Sequence, residues 1–139
     1  MSTRGTDTLA MKLYFFPVAP NPTRVLLYVS LKEAGGAKIP LERVRIDTRQ
    51  GEQNSAEHLA RNPFGRLPVL ELDDGSGLTE SRVIMGYLEE RFPEPDLIGA
   101  TPEERAHVAE MERIAELGVL SAWDRSFRER PEVAKVLFA

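Results

Sequence analysis

Residues 62–81 read Asn62-Pro63-Phe64-Gly65-Arg66-Leu67-Pro68-Val69-Leu70-Glu71-Leu72-Asp73-Asp74-Gly75-Ser76-Gly77-Leu78-Thr79-Glu80-Ser81. Asn62-Pro63-Phe64-Gly65 is a turn, because Asn and Gly accept turn dihedrals and Pro presets its own. Leu67 to Leu72 is an apolar run that predicts a strand, with Pro68 at its start. Asp73-Asp74-Gly75-Ser76-Gly77 predicts a hairpin into a short strand around Leu78. Ser81 to Phe92 then predicts a helix whose buried face is Val83, Ile84, Tyr87 and Leu88.

Upstream, Lys12 to Phe16 is a short apolar run rich in aromatics and reads as a strand. Asn21 is expected to cap a helix, with Pro22 at its first position, where a missing N–H costs nothing. That helix is expected over Thr23 to Ala34, turning Val25, Leu26, Tyr28 and Val29 inward and ending at Gly35-Gly36. Leu41 to Asp47, alternating at Val44 and Ile46, predicts a second strand. Asn54 to Ala60 predicts a short helix, with Asn54 and Glu57 spaced as a capping box. The order β-α-β-α-β-β-α implies a parallel strand pair with a right-handed crossover, to which the hairpin adds antiparallel edge strands. The expected organisation is a disordered polar lead at 1–10, with Met11 an alternative start, and an α/β domain over 11–93. A linker follows at 94–100, then a helical region at 101–139. Thr101-Pro102-Glu103-Glu104 combines an N-cap, a first-turn proline and a capping box, and opens a helix expected to reach about Leu120. Pro131 opens a last short helix to Phe138.

Composition narrows the function. The 139-residue chain carries a net charge of −4, so it lacks the basic footprint of a nucleic-acid binder. Cysteine is absent, which excludes disulfides, thiolate zinc sites and thiol redox chemistry by the chain itself. Two histidines, His58 and His107, are too few for a multi-histidine metal site, and each reads as surface. The longest apolar stretch, Val25 to Leu31, is too short to span a membrane and contains Ser30. The first ten residues carry Arg4 and Asp7 and no apolar signal region, so a cytoplasmic location is expected. Arg24 reads as an internal ion-pair partner and Trp123 as packing. The Glu/Arg-rich face of Glu103 to Glu116 reads as a solvated helix face.

Four segments in this order and spacing carry a resemblance: Lys12-Leu13-Tyr14-Phe15-Phe16, Asn21-Pro22-Thr23-Arg24-Val25, Asn62 to Leu70, and Leu78-Thr79-Glu80-Ser81-Arg82. Together they resemble the cytosolic glutathione S-transferase family, of phi- or theta-like type, over residues 11 to about 120. The resemblance implies a thioredoxin-like N-terminal domain followed by an all-helical domain. It also implies glutathione as co-substrate with no cofactor or metal, small hydrophobic electrophiles as second substrates, and a homodimer.

Glutathione has two carboxylates, one ammonium and one thiol. Glu80-Ser81 falls where a strand turns into a helix, and backbone N–H groups at a helix start favour a carboxylate. The Ser81 hydroxyl can add a hydrogen bond, while Glu80 can pair with the ammonium; plain helix capping is the alternative reading. The resemblance implies a cis bond before Pro68, turning the Leu67 backbone toward the cysteinyl unit; an edge-strand proline is the alternative. Arg66 and Gln53 match the family's positions for the glycyl carboxylate, although Gln53 stands where phi-type relatives often carry histidine or lysine. Both can equally be solvated surface residues.

The thiol site departs from the family pattern. Aligned on Arg24, the usual serine or cysteine position falls on Ala19 or Pro20, neither of which can donate from a side chain. The remaining donors are Asn21, Thr23 and the amides at the helix start, while Tyr14 reads as strand packing. A helix N-terminus supplies about 0.3–1 kcal/mol when exposed and up to about 2 when partly buried. Since one pKa unit is about 1.4 kcal/mol, the dipole lowers a thiol by about one unit. The helical region is also short for the family, which implies missing central helices, an incomplete electrophile pocket, and a bare apolar stripe at Val108, Met111, Ile114 and Leu117. Two functions follow: a glutathione transferase, or a catalytically weak module of the same fold that binds glutathione or another protein.

Overall fold

The computed structural model describes residues 10–120. The expected tail helix at Pro131–Phe138, Trp123 and most of the polar lead lie outside the described residues. Strand β1 spans Met11–Phe15, β2 Leu41–Arg45, β3 Val69–Glu71 and β4 Gly77–Thr79, all in one sheet ordered β2-β1-β3-β4. β1 and β2 run parallel; β3 is antiparallel to both β1 and β4. The predicted parallel pair and hairpin are present, but β3 is an interior strand rather than an edge. The edge-strand reading of Pro68 therefore does not hold: the proline stands at the mouth of a strand paired on both sides.

Side chains alternate across this sheet with a period of two. Met11 and Leu13 of β1 and Leu70 of β3 face one way, joining Val25, Val29, Ile39, Ile84 and Leu88 in the main core. Tyr14 and Val69 face the other way, with Ile46. Helices α1 (Pro20–Ala34) and α3 (Ser81–Arg91) supply the main core's cover. Helix α2 (Ala56–Arg61) ends with the Arg61 guanidinium 4.1 Å above the Tyr14 ring, on the second face. On α3 the inward residues are Ser81, Ile84, Leu88 and Glu89, whereas Val83, expected inside, is exposed.

Two helix starts differ from expectation. α1 begins at Pro20 with Ala19 as its N-cap, so Asn21 lies inside the first turn instead of capping it. Both prolines fit there because first-turn N–H groups have no helical acceptor to lose. α2 is capped by Ser55, whose hydroxyl accepts the His58 N–H, and not by Asn54, which belongs to a preceding 3₁₀ turn at Glu52–Asn54. His58 is fully buried, not on the surface.

α1 and α3 are also tied by a buried ion pair invisible to hydrophobic patterning. The Lys32 Nζ lies 2.8 Å from Glu89 Oε2, with both side chains almost wholly buried. Lys32 also donates to the Pro95 carbonyl at 2.6 Å, and the Tyr28 hydroxyl donates to Glu89. Burial and the Glu89 carboxylate hold the Tyr28 phenol far above its usual range. Gly35 lets the chain exit pass close by: a Cβ there would lie 2.3 Å from Pro95 Cγ.

The chain divides into two compact units at the Pro95–Asp96 junction. In the second, α4 (Pro102–Ile114) opens with the complete Thr101–Glu104 capping box, then continues as π-helical turns over Ala115–Leu120. No described helix is long and apolar enough to cross a membrane.

Removing one member of a buried ion pair strands the other, at a cost of about 3–5 kcal/mol. Lys32→Met is expected to lower the urea unfolding free energy by roughly 3 kcal/mol. Adding Glu89→Gln, which leaves Tyr28 its acceptor, should restore a large part of that loss. Equal losses in the single and double variants would show the pair to be uncoupled.

Candidate functional site

The register of the hairpin builds the site. Val69 faces Thr79, so the residues just outside the ladder, Leu67-Pro68 and Glu80-Ser81, come out side by side. The Leu67–Pro68 bond is cis. A small recess of about 40 Å³ opens there, lined by Asn21, Asn62, Arg66, Leu67, Pro68, Glu80 and Ser81. Sites that enclose a whole ligand measure roughly 300–1,000 Å³, so this recess is too small to enclose one.

Two helices begin at the recess, and neither has a side-chain cap. α3 starts behind Glu80, whose carboxylate caps nothing, and Ser81 is 5% exposed. Plain capping therefore does not account for Thr79-Glu80-Ser81. α1 starts behind Ala19, again without a cap. By contrast α2 uses Ser55, α4 uses Thr101, and the 3₁₀ turn at Thr48–Gln50 uses Asp47. The uncapped N–H groups carry partial positive charge and suit an anion.

Glu80 holds φ at 71° and ψ at 120°, in a region that side chains other than glycine rarely adopt. Such strain costs of order 1–3 kcal/mol and gathers where a backbone must be aimed.

Six of the eight residues read from the sequence line the recess: Asn21, Arg66, Leu67, Pro68, Glu80 and Ser81. Thr23 does not. Its hydroxyl is turned back onto the Ala19 carbonyl at 2.8 Å, with Pro17 O at 3.2 Å, so its proton is committed to the backbone. Gln53 does not line it either, but it adjoins the turn that carries Arg66. A Cβ on Gly65 would meet Gln53 O at 3.1 Å, and Gly65 holds φ at 63°, so only glycine fits between them. The Gln53 Oε1 is buried without a hydrogen-bond partner.

The donors toward a thiol are few. Pro20 and Pro22 have no N–H, and the Thr23 N–H bonds to Ala19 O at 3.1 Å. Asn21 is left as the first-turn donor of α1. Tyr14 is 4% exposed and donates to Glu71 at 2.9 Å; burial first, and that hydrogen bond second, push its phenol above the usual range. Among the described residues no cluster of His, Asp and Glu could hold a metal ion.

Two site neighbours escaped the sequence reading. The Arg66 carbonyl accepts from His58 Nε2 at 3.1 Å and from Asn62 Nδ2 at 3.2 Å. Asn62 reads only as a turn residue, and nothing in the sequence marks a histidine on a six-residue helix as buried.

A four-stranded mixed sheet with this helix order, entered by a cis-proline junction, defines a thioredoxin-like domain followed by helices. The family model for the glutathione S-transferase N-terminal domain matches residues 9–90, more than half of the chain. The chain is 38% identical to a maleylacetoacetate isomerase of Pseudomonas aeruginosa over 96 residues, 69% of this chain and 44% of that protein. It is 36% identical to glutathione S-transferase 2 of Saccharomyces cerevisiae over 110 residues, 79% of this chain and 46% of the yeast protein. The crystal structure of a glutathione S-transferase domain-containing protein of Marinobacter aquaeolei superimposes with a TM-score of 0.76 at 36% identity, covering 89% of this chain and 62% of that one. The chain therefore belongs to the glutathione S-transferase family, and it spans less than half the length of these two curated relatives.

The strained residue yields a direct test. Glu80→Gly removes the steric cost of the positive φ, partly offset by glycine's greater unfolded-state entropy. Its unfolding free energy should rise by about 1 kcal/mol in urea titration. An unchanged or lower value would show that the conformation carries no strain.

Proposed function

We propose that this chain is a glutathione transferase that binds glutathione across the recess and passes its thiolate to small hydrophobic electrophiles, a detoxifying conjugation carried out in the cytoplasm. The observation that carries the reading is the meeting of an uncapped helix start, the Ser81 hydroxyl and the Leu67-Pro68 backbone at one point. The α3 amides and Ser81 take the glutamyl carboxylate, and Glu80 takes the ammonium. The Leu67 N–H and C=O, two residues outside the strand register, pair with the cysteinyl backbone. Arg66, with Gln53 beside its turn, takes the glycyl carboxylate. Asn21 faces sulfur; Thr23, also expected there, contributes through the helix backbone at most. No side chain forms a covalent intermediate. Catalysis consists of positioning and thiolate stabilisation.

A homodimer belongs to the same reading, with α3 and α4 at the contact. Val83 on α3 and Val108, Met111 and Ile114 on α4 are exposed apolar side chains that such a contact would cover. Light scattering checks this through the mass in solution.

Calorimetry and turnover of a chloronitroaromatic electrophile test the chemistry. A hydrogen bond to a charged group is worth about 1.5–3 kcal/mol, so Ser81→Ala should weaken glutathione binding by roughly tenfold or more. Turnover should fall with it. At saturating glutathione, kcat/KM for the electrophile should climb with pH and reach half-maximum near about 7.5, because the helix start lowers a thiol of pKa near 8.5 by about one unit. Binding without turnover would favour the catalytically weak binding module; no binding by the unaltered chain would sink both.

A further inference from the structure

The Arg66–Leu67 peptide joins two residues that line the recess, and two side chains hold its carbonyl. Its carbonyl accepts from His58 Nε2 at 3.1 Å and from Asn62 Nδ2 at 3.2 Å, which occupies both oxygen lone pairs. Both donors are buried, His58 at 0% and Asn62 at 3% exposed. The roles are fixed by what surrounds them. A carbonyl only accepts, so the His58 Nε2 is the donor in this bond, while its Nδ1 is buried without a partner. Asn62 Oδ1 accepts the Phe64 N–H at 3.1 Å, which leaves its amide nitrogen for Arg66. Ser55 seats the histidine in turn by accepting its backbone N–H.

A peptide unit is planar, and in the trans form its C=O and N–H point in opposite directions. Among the described residues the cis bonds are Leu67–Pro68 and Glu94–Pro95, so Arg66–Leu67 is trans. With the Arg66 carbonyl pinned by His58 and Asn62, the Leu67 N–H points the other way, and Leu67 itself lines the recess. Turning the plane would leave two buried donors unpaired. We propose that His58 and Asn62 are positioning residues for glutathione, holding the Arg66–Leu67 peptide so that the Leu67 N–H is preset for the cysteinyl carbonyl. The inference rests on the glutathione-binding reading above.

His58→Leu and His58→Gln in the full chain test it, the second variant returning an amide donor to the same place. Glutathione affinity by calorimetry should fall about tenfold in His58→Leu and return to within about threefold in His58→Gln, at similar melting temperatures. In turnover, KM for glutathione should rise while kcat and KM for the electrophile hold. Should His58→Leu fail to fold, nitrogen-edited NMR of the unaltered chain decides: the Leu67 amide proton should move downfield as glutathione saturates. A His58→Leu variant that binds as tightly as the unaltered chain overturns the positioning role. A Leu67 amide that stays still while other recess amides shift does the same. No binding by the unaltered chain overturns the glutathione reading itself.

Discussion

Strand β3 is paired on both sides, yet the residue before it is a proline with no N–H to lend to either neighbour. That constraint organises the rest. The ladder ends at Val69, and the chain leaves the sheet at a junction where Leu67 belongs to no strand. The tight hairpin brings Thr79 back opposite Val69, so the end of β4 and the start of α3 arrive beside the same junction. A backbone outside the ladder, a helix start without a cap and a serine hydroxyl thus share one recess.

Such a site is costly to hold, and the surrounding packing explains how it persists. Uncapped helix ends and a positive φ at Glu80 each disfavour the fold by about a kcal/mol or more. α3 absorbs this because Ile84 and Leu88 are fully buried one and two turns along. Full burial of an aliphatic side chain is worth roughly 1.5–3 kcal/mol, so two such residues outweigh the strained start. The Lys32–Glu89 pair then fixes the far end of α3 against α1 and the Pro95 carbonyl. It contributes less through net energy than through registration, since a misplaced α1 or α3 would strand a buried charge.

The sheet and its helices were legible because period-two and helical patterns report burial directly. Leu13 and Tyr14 on opposite faces, and Val25 and Val29 on one side of α1, are readable from spacing alone. Boundaries were less so. Pro20 and Pro22 fit a helix first turn equally well, and only geometry shows that Ala19 precedes the first helical residue. The recess was legible where a residue type matches its chemistry, as at Ser81, Glu80 and Arg66. It was not legible where a side chain acts on a distant backbone atom. The bonds from His58 and Asn62 to the Arg66 carbonyl depend on how a short helix and its turn fold back, and no local pattern encodes that. Lys32 was missed for a related reason: a lysine on a helix normally marks the solvent side, and only its partner on α3 reverses that rule.

The chemistry at sulfur follows from what α1 lacks. A transferase of the proposed kind needs a donor beside the thiol, and the hydroxyls nearest in sequence are committed elsewhere: Thr23 to the Ala19 carbonyl, Tyr14 to Glu71. Two first-turn prolines remove two further N–H groups. What is left is the Asn21 amide and the partial charge of the helix start, about one pKa unit in all. One unit raises the thiolate share near neutral pH up to roughly tenfold, whereas holding two reactants in contact can be worth about 7–11 kcal/mol. On these magnitudes, under the proposed function, holding glutathione beside its electrophile outweighs any acid at the thiol. Under the proposed function, bringing the two substrates together then matters more for rate than activating the thiol.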